Sequence, residues 1–147
     1  MIKGKKHILP KGFLASGIHC GAKKKRKDLS LFYARKKCKV AALFTRNAVK
    51  AAPVRLGIEQ LKKSGSLRAV LVNSGNANCM TGRRGMKDAE RMAGTIAKIL
   101  GIPDEEVMVS STGIIGEFLD MVPILKGMKQ LAGELSPDGV VDAAAGI

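Results

Sequence analysis

The sequence predicts a layered α/β protein, and three observations carry that prediction. Residues Leu67–Asn73 (LRAVLVN) form an almost continuous apolar run stopped by Ser74–Gly75. Such a run fits a strand buried on both faces, as in sheets covered by helices. From Met86 to Leu100 the apolar positions Ala89, Met92, Ala93, Ile96, Ile99 and Leu100 recur at helical spacing, with Gly101 and Pro103 beyond. That pattern is a helix with a glycine stop. Glu106–Ser110 then offers a second short buried strand (VMVS) running into Ser111-Thr112-Gly113. Residues 67–113 thus read as a strand–helix–strand unit.

The other elements follow in order. KGFLASGIHCGAKKK reads as short extended pieces broken by Gly12, Gly17 and Gly21. Asp28–Tyr33 (DLSLFY) alternates in part and predicts a strand, and Lys39–Thr45 (KVAALFT) is a second strand candidate, ended by Arg46–Asn47. Val54–Lys63, with Leu56, Ile58 and Leu61, reads as a helix closed by Ser64–Gly65. A last pair of helices is expected over Val122–Glu134 and Pro137–Ala145, separated at Ser136–Pro137. No repeat or linker divides residues 1–147, so the chain reads as one domain or most of one.

Composition narrows the class. Hydrophobic residues make up 46% of the chain, which argues against disorder throughout. Aromatics are only 3%, with no Trp, so the core must come from Val, Ile, Leu, Met and Ala. The net charge of +14 is concentrated: residues 1–50 carry 15 Lys/Arg against one acid, Asp28, and the rest is balanced. Such a region can attract nucleic acid, anionic substrates or an acidic partner, although a solvated lysine face is the commoner outcome. Cys20, Cys38 and Cys79 form no CxxC pair or metal spacing and read as reduced thiols. The start lacks a signal-peptide stretch, and no run approaches a membrane span of about 18 apolar residues. A soluble cytoplasmic protein is the expectation.

Motifs that carry chemistry are few. There is no GxGxxG, and GFLASG lacks the Gly-Lys-Ser/Thr that completes a phosphate-binding loop. His7 and His19 have no acidic partner nearby in sequence, and neither reads as a metal ligand or triad member. Asp104, Glu105 and Glu106 follow Pro103, where acids commonly decorate a loop or a helix start. NSGNANCMTG (Asn73–Gly82) supplies amides and tolerates left-handed backbone, but a tight turn bonded to itself explains it equally well. SSTGIIG (Ser110–Gly116) ends a strand with a hydroxyl beside an unencumbered backbone N–H. That pair suits an oxyanion of acyl transfer, worth a few kcal/mol per donor where water is excluded. If the two strands are parallel neighbours, both turns lie at one crevice outside their carboxyl ends.

Taken in order, GFLASGIHCGAKKKRKDLSLF, AALFTRNAVKAAPV, AVLVNSGNANCMTGRRGMKDAE and VMVSSTGIIG closely resemble the ornithine acetyltransferase family, from about Gly12 onward. The family is also called bifunctional glutamate N-acetyltransferase. The resemblance implies a layered, sandwich-like α/β fold of that family's own type, of which this chain is the N-terminal part. It implies an arginine-biosynthesis precursor that cleaves itself before a threonine into α and β chains. The new N-terminal threonine takes the acetyl group from N-acetylornithine and passes it to glutamate, using its own amine as base. The family's oxyanion hole maps onto Thr112 (hydroxyl) and Gly113 (backbone N–H). No metal or cofactor is implied, although acetyl-CoA is a co-substrate of bifunctional members.

The implied partner is a β chain bearing the nucleophile, in a heterotetramer of two α and two β chains. The family's Met-Thr-Thr-Asp, Lys-Gly and Met-Ala-Thr segments are expected beyond Ile147. This chain, read as truncated, would then hold the charge-stabilising half of the site without the attacking half. Ala22 and Cys79-Met80 depart from the family pattern without touching Thr112 or Gly113. Two other readings stand beside this one. A small basic RNA-binding protein is suggested by KKKRK, but scattered aromatics and the lack of any module signature make nucleic acid an unexpected partner. An inactive remnant lacking its partner half is the other.

Overall fold

The computed structural model describes residues 9–147. Four strands form one sheet in the order β1 (Phe13–Ile18), β2 (Leu29–Lys39), β3 (Ser66–Asn76) and β4 (Val107–Ile114). The first two pairings are antiparallel and β3–β4 is parallel. The helices are α1 (Ala52–Ser64), α2 (Gly82–Leu100), α3 (Met121–Gly133) and α4 (Val140–Ala145).

Register explains the layers. Across the sheet, Ser16, Leu31, Leu71 and Val109 stand opposite one another, and so do Ile18, Leu29, Asn73 and Ser111. Opposed residues share a face. This face meets Met92 and Ile96 of α2 and Ile124, Met128 and Leu131 of α3, all buried in one cluster. Each such aliphatic side chain contributes about 1.5–3 kcal/mol by leaving water. Among the described residues the opposite face receives α4, which packs mainly on β1, and the edge of α1 at Met108. Gly17 allows that approach, since a Cβ there would overlap the Asp142 carbonyl of α4. Ser30 Oγ donates to Ala143 O at 2.7 Å and Ser74 Oγ to Gly146 O at 2.6 Å, satisfying carbonyls at the end of α4. Beyond α4 this face is more open, with Phe32 and Val70 half-buried and Ser110 and Thr112 exposed. The expectation of burial on both faces of β3 therefore holds only for its second half.

The helix ends follow their sequence signals. Gly65 and Gly101 adopt left-handed φ of 61° and 64° just past α1 and α2. Of the predicted α2 stripe, Ala89, Met92, Ala93 and Ile96 are buried, whereas near the helix end Leu100 is half-buried and Ile99 is exposed.

Three expectations need correction. Val40–Thr45 is not a strand but an irregular, largely exposed segment, with Leu43 fully exposed. Its place beside β3 is taken by the charged stretch Ala34–Lys39, which extends β2 past a register shift. Thr45 Oγ1 and Asn47 Oδ1 then accept from the N–H groups of Asn47 and Val49, giving local turns that compete with a ladder. Gly17 does not break the first extended piece but lies within β1. The last helix begins at Val140 rather than Pro137, because Ser136 bridges to Ala15 before the turn closes.

Candidate functional site

The antiparallel and parallel pairings bring three segments to one end of the sheet. These are the β1–β2 loop (residues 19–28), the end of β3 (Ser74–Asn76) and the end of β4 (Thr112–Ile114). The two glycine-bearing turns suggested by sequence are neighbours, since Ser74, Gly75 and Asn76 stand opposite Thr112, Gly113 and Ile114.

Thr112 lies on the open face of the sheet with its side chain exposed. Gly113 has φ of 127°, which a residue with a Cβ rarely adopts, and a Cβ there would overlap the Gly75 carbonyl. Gly75, at φ 115°, is less tightly enclosed, a Cβ there standing 3.3 Å from Lys23 Cγ and 3.4 Å from the Ala22 carbonyl. Two glycines in facing strands thus let the backbones close up beside the Thr112 hydroxyl. Ile114, Ile115 and Phe118 follow as an exposed apolar rim. Beyond it a cleft of about 290 Å³ is lined by Lys50, Arg55, Met80 and Thr81 among others. The Thr112 hydroxyl is thus exposed beside two close-set glycines, with an apolar rim following it in the chain.

The asparagine-rich turn is mostly committed to structure. Asn73 Nδ2 donates to Asn76 O at 3.0 Å and Asn73 Oδ1 accepts from Ser111 Oγ at 2.5 Å. Asn78 Nδ2 donates to Gly85 O at 2.7 Å, and its Oδ1 accepts from Thr81 Oγ1 at 2.6 Å. Both asparagines are buried. Asn76 instead donates to Glu117 Oε2 at 3.0 Å near the surface.

The β1–β2 loop is built around Asp28, which sequence left without a role. Its fully buried carboxylate accepts from the backbone N–H of Cys20 (2.6 Å), Gly21 (3.2 Å) and Lys23 (2.7 Å). Burial alone would raise its pKa, but the Lys23 and Cys20 hydrogen bonds and nearby His19 outweigh it, and the pKa is lowered. His19 therefore does have an acidic partner, with Nδ1 3.1 Å from Asp28 Oδ2 and 2.7 Å from Arg26 O. A carbonyl only accepts, which assigns the proton to Nδ1. Burial pushes the Cys20 thiol up to about 12, and Asp28 adds to the effect. His7 lies outside the described residues. The three described cysteines are unpaired, and no group of three or more His, Cys, Asp or Glu among the described residues could hold a metal.

At the far end of the sheet, the acidic segment after Pro103 forms a 3₁₀ turn at Asp104–Glu106. Glu106 is not a surface decoration: it is buried and ion-paired with Lys37. No helix among the described residues is long and apolar enough to cross a membrane.

The sheet, its helical cover and the facing glycine turns define a mixed α/β protein whose two glycine-bearing turns meet at one sheet end. Residues 14–147 match the ArgJ family, and the chain belongs to that family. It is 49% identical over 139 residues to the arginine biosynthesis bifunctional protein ArgJ of Caldanaerobacter subterraneus subsp. tengcongensis, covering 95% of this chain and 34% of the relative. The protein of the same name from Thermotoga neapolitana is 48% identical over 139 residues, covering 94% and 35%. The chain thus spans about a third of the length of these relatives. Among solved structures, ArgJ from Bacillus halodurans superposes with a TM-score of 0.88 at 42% identity, covering 93% of this chain and 72% of that one. Ornithine acetyltransferase from Mycobacterium tuberculosis, complexed with ornithine, gives 0.88 at 39% identity, covering 94% and 76%.

Proposed function

We propose that this chain supplies the oxyanion-stabilising part of an acetyltransferase that moves acetyl from N2-acetylornithine to glutamate. The observation that carries the reading is Thr112, exposed at the end of β4 beside Gly113, whose backbone is pressed against Gly75. Family membership and the ornithine-bound relative support it. They also favour it over a small basic RNA-binding protein.

In this reading an N-terminal threonine of an associated β chain attacks the acetyl carbonyl. The tetrahedral oxyanion accepts hydrogen bonds from the Thr112 hydroxyl and the Gly113 N–H. Collapse breaks the amide C–N bond and leaves an acetyl-threonine ester, with the threonine proton passing through its amine to the departing ornithine. The glutamate amine then attacks the ester, its proton returns to the threonine oxygen, and N-acetylglutamate leaves. Residues 1–147 alone lack the nucleophile and are inactive in this scheme. Acetyl-CoA serves as a second acetyl donor if the assembly is bifunctional, with no resident cofactor, and the assembly is a cytoplasmic heterotetramer of two α and two β chains. The unpaired thiols suit a reducing compartment.

The test is to co-produce this chain with the downstream two thirds of the Caldanaerobacter relative and measure ornithine release and N-acetylglutamate formation. Thr112→Ala should lower kcat by about 10²–10³, while Thr112→Ser retains most activity. Equal rates with and without the hydroxyl would remove Thr112 from the oxyanion site.

A further inference from the structure

Five of the fifteen basic residues among the first 50, Lys23–Lys27, lie in the β1–β2 loop. The only acid in the first 50 residues, Asp28, is buried beneath the β1–β2 loop and consumed by its backbone N–H groups. The loop is thereby held rigidly with its basic side chains outward. Lys24, Lys25 and Arg26 are exposed and form no ion pair with a described residue. One nearby acid is offset by an ion pair, and two others keep their charge while bonded to neutral groups. Asp142 pairs with Lys27 at 2.5 Å, Asp120 accepts from Val122 N at the start of α3, and Glu117 is held by Asn76. Lys23 stands beside Gly75, its Cγ 3.3 Å from where a Gly75 Cβ would stand, and Gly75 pairs with Gly113 on β4. Lys24–Arg26 follow within three residues, so their Cα atoms lie no more than about 11 Å from that of Lys23. That span is comparable to the screening length of about 8–10 Å at ordinary ionic strength.

We propose that the Cys20–Lys27 loop is an electrostatic selector that draws an anionic acceptor, an amino dicarboxylate, to the sheet end carrying Thr112 and Gly113. The inference rests on the acetyl-transfer reading above. Near neutral pH N2-acetylornithine is a neutral zwitterion, ornithine a monocation, glutamate a monoanion and N-acetylglutamate a dianion. A fixed cationic loop is indifferent to the donor, hastens the cationic first product away and concentrates the acceptor that must arrive next. It also holds back the dianionic final product, so product inhibition belongs to the same device.

A double-displacement reaction lets the two halves be read separately, because kcat/KM for each substrate reports its own half. In the co-produced assembly, the combined change Lys24→Gln, Lys25→Gln, Arg26→Gln should lower kcat/KM for glutamate roughly tenfold at low ionic strength. The loss should shrink as salt is raised. The value for N2-acetylornithine should stay within about twofold, and inhibition by N-acetylglutamate should weaken. Lys24→Arg with Lys25→Arg should keep the unaltered values, which separates charge from side-chain shape. Equal losses in both halves, or no salt-dependent loss for glutamate, would overturn the selector. If the unaltered assembly released no ornithine from N2-acetylornithine, the acetyl-transfer reading would fail first and this inference with it.

Discussion

Gly113 faces Gly75 across the parallel β3–β4 pair so closely that a Cβ on Gly113 would fall inside the Gly75 carbonyl oxygen. The neighbour is backbone rather than a flexible side chain, and φ at Gly113 is also positive. Gly113→Ala should therefore cost about 1–3 kcal/mol, read as a lower denaturant midpoint. A change within 0.5 kcal/mol of zero would mean the strands separate freely at this point.

The two halves of the asparagine-rich turn should behave differently. Asn78→Ala leaves the buried Thr81 hydroxyl without its acceptor and removes the side-chain donor to the Gly85 carbonyl, at a cost of about 1–3 kcal/mol. Asn76→Ala removes a bond near the surface and should stay within about 0.5 kcal/mol. Equilibrium unfolding of both variants checks the contrast, and equal losses would contradict it.

Asp28 makes stability depend on acid. Its folded pKa is lowered despite burial, so the native state favours the carboxylate. The contribution is complete above the unfolded value of about 3.9 and is lost as pH falls through the lower folded value. Asp28→Asn should be less stable than the unaltered chain at pH 7, by about 1–3 kcal/mol. The gap should begin to narrow at about pH 4 and close only below the lower folded value. Urea unfolding across that range measures it, and a gap independent of pH would rule out a linked carboxylate.

Cys20 should be the slow thiol. Burial, with Asp28 adding to it, raises its pKa to about 12, leaving almost no thiolate at pH 8. Iodoacetamide applied to the folded chain should spare Cys20 and label it only after denaturation, as followed by peptide mass spectrometry. Rapid labelling of the folded protein at Cys20 would show that the loop opens.

Some of this was legible in residue order and some was not. The β3–α2–β4 unit could be read because one apolar run, one stripe and one glycine stop agree locally. Val40–Thr45 misled because its apolar residues suggested a strand, but Cys38 and Lys39 hold the place beside β3 and Asn47 favours a turn. For Thr112 and Gly113, sequence foresaw the neighbouring turns through the parallel strand pair, although tertiary structure alone shows how tightly the backbones meet. His19 and Asp28 lie nine positions apart across a loop, and no periodic signal announces such a pair. Glu106 looked like one of three loop acids because its partner, Lys37, comes from a distant strand.

The lone parallel pairing in an otherwise antiparallel sheet divides the molecule into a working rim and a service rim. Were β4 reversed in place, Thr112 would stand opposite Leu71, roughly 13 Å along the sheet from Gly75. At the opposite rim lie the start of β1, the end of β2, the Gly65 turn between α1 and β3, and the 3₁₀ turn that introduces β4. An affinity handle or fluorophore inserted at Gly65, where added bulk meets nothing within 4 Å, would hang on the side facing away from Thr112. The protein could be immobilised by that turn with its chemistry pointing into solution.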